Sequence, residues 1–185
     1  ISALGLGGVQ TSHEANIAME IMKSWEFIDK FIKDNELEIP LLAVKNWNKE
    51  TNELVINQKK YDSSIRRIKD PKQRNSTNFR WEVFKEFEER LQVSLNNSKQ
   101  LIYVSIEYYS PEIAQEWVEK FIEAINKKMQ ERRLLILDKN IENLEKQLNK
   151  TREAYLKERL FAILAIQIKE KSLAEASPEY AFVTV

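Results

Sequence analysis

The sequence predicts an α+β protein in which a small mixed α/β base carries a long protruding helical hairpin. The first observation is a run over 111–149 that contains no glycine and no proline after its first residue. The second is a further helix-forming run over 152–176, which follows a short polar break. The third is a pair of segments, 101–109 and 180–185, that are rich in β-branched and aromatic residues and have the length of strands.

The helical run over 111–149 is longer than a compact domain of this size needs. At a rise of about 1.5 Å per residue, it reaches roughly 58 Å. The 185 residues of the chain suffice for one domain with an appendage. We therefore expect the helix to project. This divides the chain into a base over 1–110, an extended hairpin over 111–176 and a closing strand of the base over 177–185.

The base is expected to begin with a helix over 14–33, preceded by a flexible lead-in over 1–12. Ser12 is suited to cap this helix, and Asp34 and Asn35 are suited to end it. Steps of three and four residues place one apolar stripe on a single face, which predicts core packing for Ile17, Ile21, Trp25, Ile28 and Ile32.

The middle of the chain is more polar. A turn over 48–52 leads into a short strand over 53–57. Residues 59–78 are polar and irregular, and the stretch from Lys59 to Arg74 has a local net charge of +5. Such a segment attracts phosphate or an acidic polymer, but its composition favours a solvated loop.

A second helix is expected over 78–92, with a turn at Asn97 and Ser98 before the strand over 101–109. The spacing of the apolar residues in this helix predicts that one face is buried, and that face consists of Trp81, Phe84, Phe87 and Leu91.

The long helix has a strong start signal and two apolar patterns. Ser110 is a favoured N-cap, Pro111 suits the first helical position, and Glu112 complements the helix dipole. The first part is broadly apolar, as expected where it packs on a sheet, at Ile113, Trp117, Phe121, Ile122, Ile125 and Met129. The distal part narrows to a heptad seam, typical of one helix lying against another, at Leu134, Leu137, Ile141, Leu144 and Leu148.

The helix over 152–176 carries more apolar side chains than one partner helix covers. We expect these side chains to contact neighbouring subunits; the alternative is that the same chain covers both faces. Ser177 and Pro178 end the helix. The apolar residues of this helix are Tyr155, Leu156, Leu160, Ile163, Leu164, Ile166 and Ile168.

Composition excludes several classes of chemistry. Basic and acidic residues number 29 each, which argues against a dedicated nucleic-acid binder. The chain has no cysteine and a single histidine, His13, so we expect no thiol nucleophile, zinc–thiolate site or His-pair metal site. All three glycines lie within the first eight residues, which argues against a phosphate-binding glycine loop. We expect no enzyme activity, no catalytic residue, no metal and no cofactor.

Two weaker signals favour structural roles. The carboxylates of Glu86, Glu88 and Glu89 lie on a predicted helix, where a solvated face is favoured over a general-acid pair. Trp47, beside the polar turn, is the aromatic residue best placed to stack on a sugar ring, although packing is favoured.

No run approaches the roughly 20 apolar residues that span a bilayer. Because the chain begins at Ile1 without a signal peptide, we expect targeting and anchoring segments to lie outside it.

Five segments carry a family resemblance and span nearly the whole chain: LGLGGVQTSHEANIAMEIMKSWEFIDKFI (4–32), IPLLAVKNWNKETNEL (39–54), RWEVFKEFEERLQVS (80–94), VSIEYYSPEIAQEWVEKFIEAIN (104–126) and LAEASPEYAFVTV (173–185). In this order, with a helical extension before the closing strand, they resemble the periplasmic domain of bacterial polysaccharide co-polymerases. These are the Wzz-type O-antigen chain-length determinants.

The resemblance implies a non-enzymatic, oligomeric regulator of lipopolysaccharide O-antigen chain length. Members of this family are anchored in the bacterial inner membrane by a helix on each side of the periplasmic domain, and they form rings of protomers. The implied partners are further copies of the chain, a membrane polymerase and the lipid-linked glycan, with no nucleic acid. We place the contacts between subunits on Leu137, Ile141, Leu144, Leu148, Tyr155, Leu160, Phe161 and Leu164.

Other readings stay open. A capsule or exopolysaccharide co-polymerase linked to a cytoplasmic tyrosine kinase has the same kind of periplasmic domain. A periplasmic adaptor of an export pump also uses a helical hairpin. Such adaptors carry glycine-containing, β-rich lipoyl-like segments, and this chain has no glycine after Gly8. An enzyme acting on glycans is a third alternative.

Overall fold

The computed structural model describes residues 2–6, 12–58, 61–62, 67–68, 77–96, 98, 101–177 and 181–184. The helices are α1 (Ser12–Lys23), α2 (Trp25–Asp34), α3 (Glu38–Ala43), α4 (Thr77–Glu88), α5 (Pro111–Lys150) and α6 (Ala154–Ala176). The strands are β1 (Ser2–Leu6), β2 (Val44–Asn48), β3 (Glu53–Ile56), β4 (Tyr61–Asp62), β5 (Arg67–Ile68), β6 (Leu91–Asn96), β7 (Leu101–Ile106) and β8 (Phe182–Thr184). The predicted α+β class, a base with a helical hairpin, is confirmed.

The base contains a four-stranded antiparallel sheet in the order β6-β7-β1-β8. On β7, alternate residues are buried, and Ile102, Val104 and Ile106 face the core. This period of two is what a sheet with one covered face requires. The strand predicted over 101–109 is therefore confirmed, although it ends at Ile106.

Residues Ser2–Leu6 form a strand, so the prediction of a flexible lead-in was wrong for this part of 1–12; residues 1 and 7–11 lie outside the described residues. β1 lies between β7 and β8 and pairs with both, with Leu4 opposite Ile102 on one side and Thr184 on the other. The two partner strands lie far away in the sequence. Pairing on both edges stabilises a short segment that shows no strand signal of its own. The predicted closing strand is confirmed as β8.

The helices that cover the sheet share a core of aromatic side chains. Phe121 of α5 lies at its centre and is fully buried. Its ring makes edge contacts with Phe27, at a centroid distance of 5.3 Å, and with Phe31, at 5.0 Å. Phe87 of α4 lies 5.9 Å from the same ring. These contacts join α2, α4 and α5 into one layer.

The first predicted helix is interrupted at Ser24. The Ser24 backbone is extended, and its hydroxyl accepts a hydrogen bond from Phe27 N at 3.4 Å, so Ser24 caps a new helix, α2. Because the axis is broken, the expected apolar stripe does not continue into α1. There Ala15, Ala18 and Met22 are fully buried, whereas Ile17 and Ile21 pack only partly against the core, as does Trp25 at the start of α2. The predicted end of the helix is confirmed, with Asn35 as the C-cap.

The predicted helix over 78–92 is shorter than expected. α4 ends at Glu88, and Leu91 is the first residue of β6, a strand that was not predicted. Phe84 and Phe87 are buried as expected, but Trp81 is 50% exposed, so its predicted burial was wrong. Phe79 and Val83 are also buried, which turns the buried face of α4 away from Trp81.

The segment between α2 and α4 holds a further small helix and a hairpin. The predicted turn and strand are confirmed, because β3 pairs with β2 across the turn that contains Asn52. The short helix α3 was not predicted. Most of the basic stretch between Lys59 and Arg74 lies outside the described residues, and Arg67 belongs to β5.

α5 is one uninterrupted helix, as predicted, and Ser110 accepts a hydrogen bond from Ile113 N at 3.3 Å as its N-cap. Its first half belongs to the base. Among the described residues, the main core ends on α5 at Met129. Beyond that point α5 packs on α6, and four residues are buried in the hairpin, namely Leu137, Leu148, Leu164 and Ala174. The projecting part therefore begins close to Gln130.

Candidate functional site

The hairpin is held together partly by polar contacts between α5 and α6. Arg133 pairs with Glu170 at 2.6 Å, and Lys171 pairs with Asp138 at 2.7 Å. All four side chains remain between 34% and 53% exposed. Pairs of this kind fix the relative register of two helices more than they add stability.

The root of the hairpin is fixed by Gln130. Its Nε2 atom donates hydrogen bonds to Ala174 O at 2.7 Å and to Ser177 O at 3.0 Å. These carbonyls belong to the end of α6, where the helix leaves backbone acceptors unpaired. Gln130 thereby fixes the position along α5 at which α6 ends, just before the chain returns to the sheet.

α6 exposes an unusual amount of apolar surface. Seven of its large apolar side chains are between 47% and 58% exposed, namely Tyr155, Leu156, Phe161, Ile163, Ile166, Ile168 and Leu173. Only Leu164 and Ala174 of this helix are buried. Single exposed apolar residues are ordinary, but a helix that carries so many of them has a surface suited to a further partner.

Five of these seven exposed side chains form two separate faces of α6. Tyr155, Ile166 and Leu173, the first apolar face, are spaced by near-whole numbers of helical turns. Phe161 and Ile168, the second apolar face, are spaced by seven residues, or about two turns. At about 100° per residue the two faces lie roughly 140° apart. They flank the side of α6 that is buried against α5.

The eight residues predicted to contact other subunits divide into three groups. Leu137, Leu148 and Leu164 are less than 10% exposed and lie inside the hairpin, so they have almost no surface to offer another chain. Ile141, Leu144 and Leu160 are half-buried along the same seam. Tyr155 and Phe161 are 58% exposed, and of the eight they are the ones free to contact a partner.

The heptad seam was read correctly as a helix–helix contact, but the partner helix belongs to the same chain. The residues best placed for an external contact are therefore those of α6 that do not belong to the seam. Ile166, Ile168 and Leu173 were not among the predicted contact residues. The sequence contains the signal that identifies them. Once the apolar residues of α6 that face α5 are set aside, these three are among the apolar residues left over.

The tip of the hairpin presents an ordered aromatic ring. Arg159 donates two hydrogen bonds to the Tyr155 hydroxyl, at 3.2 Å and 3.0 Å. Its guanidinium carbon lies 5.4 Å from the centre of the same ring. A contact between residues four apart on a helix holds the Tyr155 side chain against the helix surface. The ring is therefore ordered before any partner arrives.

The base carries a second exposed aromatic group. Trp81 stacks on Trp25, at a centroid distance of 5.4 Å, and on Phe84, at 5.2 Å. Beside it, the Arg80 guanidinium binds the Asp29 carboxylate and lies over the Trp25 ring. Burial alone raises the pKa of Asp29, but its hydrogen bonds and ion pairs with Arg80 and Lys33 outweigh burial and hold the pKa below its ordinary value.

Trp47, the sequence candidate for sugar stacking, has a local structural contact. Its indole Nε1 donates a hydrogen bond to Asn52 Oδ1 at 2.9 Å, which ties the two sides of the β2–β3 turn together. Asn52 has a positive φ of 54°, a conformation that asparagine tolerates better than most residues. The ring of Trp47 is half-buried in this hairpin.

Of the three carboxylates that the sequence singled out, Glu86 and Glu88 pair with neighbouring cations, and Glu89 is exposed. Glu86 accepts from Arg90 at 3.3 Å, and Glu88 pairs with Lys85. Within the described ranges, no three histidine, aspartate or glutamate side chains converge as metal ligands would. In the same part of the chain, every helix is either too short or too polar to cross a lipid bilayer.

Comparison with protein-family models and with curated proteins gives no relative on which to rest an assignment. No protein-family model matches the chain. No curated protein matches it either. The function is therefore inferred from the fold and from the exposed surface of α6. An α/β base carries a projecting helical hairpin, and two apolar faces of α6 are exposed.

Proposed function

We propose that the protein is a non-enzymatic scaffold that assembles with copies of itself and regulates the length of a polysaccharide, the O-antigen of lipopolysaccharide. The observation that carries the proposal is the pair of exposed apolar faces on α6. The resemblance to polysaccharide co-polymerases supplies the biological setting, the periplasmic side of the bacterial inner membrane. A membrane polymerase and the lipid-linked glycan are the further partners.

Two faces on one helix support a head-to-tail assembly. The first apolar face (Tyr155, Ile166 and Leu173) and the second apolar face (Phe161 and Ile168) differ in shape and composition. A contact between the first face of one copy and the second face of the next leaves one free face at each end. Repetition of such a contact builds a ring or an open array rather than a closed dimer.

The energetics favour assembly only where copies are concentrated. Burying the exposed half of one large apolar side chain contributes about 1 kcal/mol. The side chains of both faces together contribute roughly 5 kcal/mol, which is at the low end of the cost of association. Anchoring in a membrane raises the effective concentration of the copies and so reduces this cost. We therefore expect the 185-residue chain alone to associate weakly and the anchored protein to associate strongly.

The proposed mechanism is geometric. An assembly presents the same surfaces repeatedly to the polymerase and to the growing glycan, and this repetition sets how long extension continues. No bond is made or broken by the scaffold. The base holds each hairpin in a fixed direction, because the first half of α5 is part of the core and Gln130 fixes the end of α6.

The direct test is to delete the gene and separate the cell's lipopolysaccharide on a gel. The proposal expects the preferred band lengths to disappear and to return when the full-length gene is restored. A second complementing gene carries Ile166→Lys and Ile168→Lys, one change on each apolar face, and is expected not to restore them. An unchanged band pattern after deletion would refute chain-length regulation.

A further inference from the structure

A cleft in the base lies between α2 and α5, on a part of the molecule separate from the hairpin faces. It has a volume of about 190 Å³. Pockets for drug-sized ligands span about 300–1,000 Å³, so this cleft accepts something smaller. The residues that line it are Phe27, Phe31, Lys30, Asp34, Asn35, Ala124, Lys127, Lys128 and Glu131.

The floor of the cleft is apolar and rigid. Phe27 and Phe31 are 7% and 2% exposed, and each is held by an edge contact with the Phe121 ring. Ala124 packs against the same core and contributes a small side chain. A small residue at this position of α5 leaves room between the two helices, so the cleft depends on Ala124 being no larger.

The rim combines hydrogen-bond donors and acceptors. On α2, Lys30 Nζ pairs with Asp34 Oδ2 at 2.6 Å, and the Lys30 pKa is raised chiefly by that bond, with Glu131 adding to it. Asn35 Nδ2 donates to Phe31 O at 2.9 Å, which leaves its Oδ1 as an acceptor.

On α5, Lys128 makes a long ion pair with Glu26 at 3.6 Å. Lys127 forms no ion pair within the part of the chain that the structure describes. Glu131, one turn further along α5, adds a carboxylate acceptor to the rim. These three side chains line the cleft from α5, and Lys30, Asp34 and Asn35 line it from α2.

We propose that this cleft binds one sugar residue of a carbohydrate chain. A sugar hydroxyl donates one hydrogen bond and accepts others, as a serine hydroxyl does, so it needs the mixture of lysine, amide and carboxylate groups found here. The C–H face of a sugar ring is apolar and fits on the phenylalanine and alanine floor. A phosphate or other compact anion offers acceptors only, so it pairs with the lysines but gives no donor to the carboxylates of Asp34 and Glu131.

The choice of carbohydrate over other small polar molecules rests partly on the proposed function, since a regulator of glycan length has to meet the glycan. The cleft itself rests on a separate set of residues from the apolar faces of α6. Sugar binding in the cleft and assembly through α6 can therefore be disproved independently, and the experiment distinguishes the two outcomes.

The test is a titration of the ¹⁵N-labelled 185-residue protein, followed by amide shifts in nuclear magnetic resonance spectra. The probes are maltotetraose, chitotetraose and a hyaluronan tetrasaccharide, which represent neutral, N-acetylated and acidic glycans. At least one probe is expected to shift amides of 27–35 and 124–131. The Ala124→Leu variant fills the cleft and is expected to weaken that binding by about tenfold or more, which corresponds to 1.4 kcal/mol.

Two controls make the result specific. Ala114→Leu makes the same change on α5, about 15 Å away along the helix, and is expected to leave binding unchanged. Lys127→Ala removes one rim donor without touching the floor, so it tests the site if Ala124→Leu disturbs the fold. The proposal is overturned if no probe shifts these amides, or if the shifts survive both cleft variants. If the cleft proposal fails in this way and cells that carry Ala124→Leu still make lipopolysaccharide of the preferred lengths, the scaffold proposal is unaffected.

Discussion

The side chain of Asn126 pairs with the backbone of Phe182 as a neighbouring strand would. Asn126 Oδ1 accepts from Phe182 N at 2.8 Å, and Asn126 Nδ2 donates to Phe182 O at 3.0 Å. Asn126 is 4% exposed and Phe182 is 1% exposed. The amide therefore satisfies both backbone groups of Phe182 on the open edge of β8. It ties the strand that closes the base to the helix that carries the hairpin.

Replacing Asn126 with alanine is expected to destabilise the base strongly. The variant leaves the N–H and C=O of Phe182 buried without partners, which costs about 2–4 kcal/mol. Urea unfolding followed by circular dichroism measures the change. Asn140→Ala removes an exposed amide contact with Gln167 and serves as the control, with an expected change within about 0.5 kcal/mol. Equal effects for the two variants would contradict the role assigned to Asn126.

The two aromatic residues Trp81 and Phe87 of α4 are expected to differ in their contribution to stability. Phe87 is fully buried, so Phe87→Ala is expected to cost about 3–5 kcal/mol. Trp81 is 50% exposed and mainly stacks on its neighbours, so Trp81→Ala is expected to cost about 1 kcal/mol. Thermal or urea unfolding of both variants measures the difference. A larger cost for Trp81 would mean that α4 packs on the face that the sequence first indicated.

Removal of the Asp29 charge is expected to destabilise the contact between α2 and α4 at neutral pH. Asp29→Asn weakens charged hydrogen bonds to Arg80, and because Arg80 is 39% exposed the loss is expected to be smaller than for a fully buried pair. Because the pKa of Asp29 is lower in the folded protein than its ordinary value of 3.8, this stabilisation is fully present above that value.

The difference between wild type and Asp29→Asn is therefore expected to shrink as the pH falls below 3.8 and through the folded pKa. Chemical unfolding at neutral pH and at several acidic pH values measures it. Asp34→Asn is the control, since its partner Lys30 is 71% exposed and such pairs contribute little. A difference that stays constant down to strongly acidic pH would show that Asp29 acts through its shape and not its charge.

Charge placed on the apolar faces of α6 is expected to affect assembly and not folding. Phe161→Lys and Ile166→Lys change residues that are more than half exposed, so unfolding free energies are expected to stay within about 0.5 kcal/mol of wild type. Preferred lipopolysaccharide lengths in cells are expected to be lost. Asn143→Lys, an exposed change on α5, is the matched control and is expected to preserve them. Loss of folding in the two face variants would place these residues in the core.

The hairpin was predictable because its signals are local. Ser110 and Pro111 mark the start of α5, and no breaker follows until Thr151, where the chain leaves the helix. Each of these signals acts through neighbouring residues, so the sequence displays it directly.

The elements that escaped prediction depend on distant contacts. β1 is a strand because β7 and β8 supply partners on both sides. The pairing of Asn126 with Phe182 joins residues 56 positions apart, and nothing in the sequence links an asparagine in α5 to that strand.

The sequence predicts that α6 has an exposed apolar surface, but it does not identify which residues form that surface. The excess of apolar residues on α6 was visible in the sequence. Which of them face α5 depends on the register that Gln130 and the Arg133–Glu170 pair impose on the two helices. In that register Leu137 and Leu164 are buried between the two helices, whereas Ile166 and Leu173 stay exposed.

Cross-linking of the full-length protein in its membrane tests the central claim most directly. The 185 residues contain no cysteine, so Phe161→Cys and Ile166→Cys introduce defined thiols here, one on each apolar face. With a short bis-maleimide, the double variant is expected to give a ladder of multimers, and each single variant no more than a dimer. A paired variant on the outer side of α5, Lys139→Cys with Asn143→Cys, is expected to stay monomeric. A double variant that remains monomeric would contradict assembly through α6.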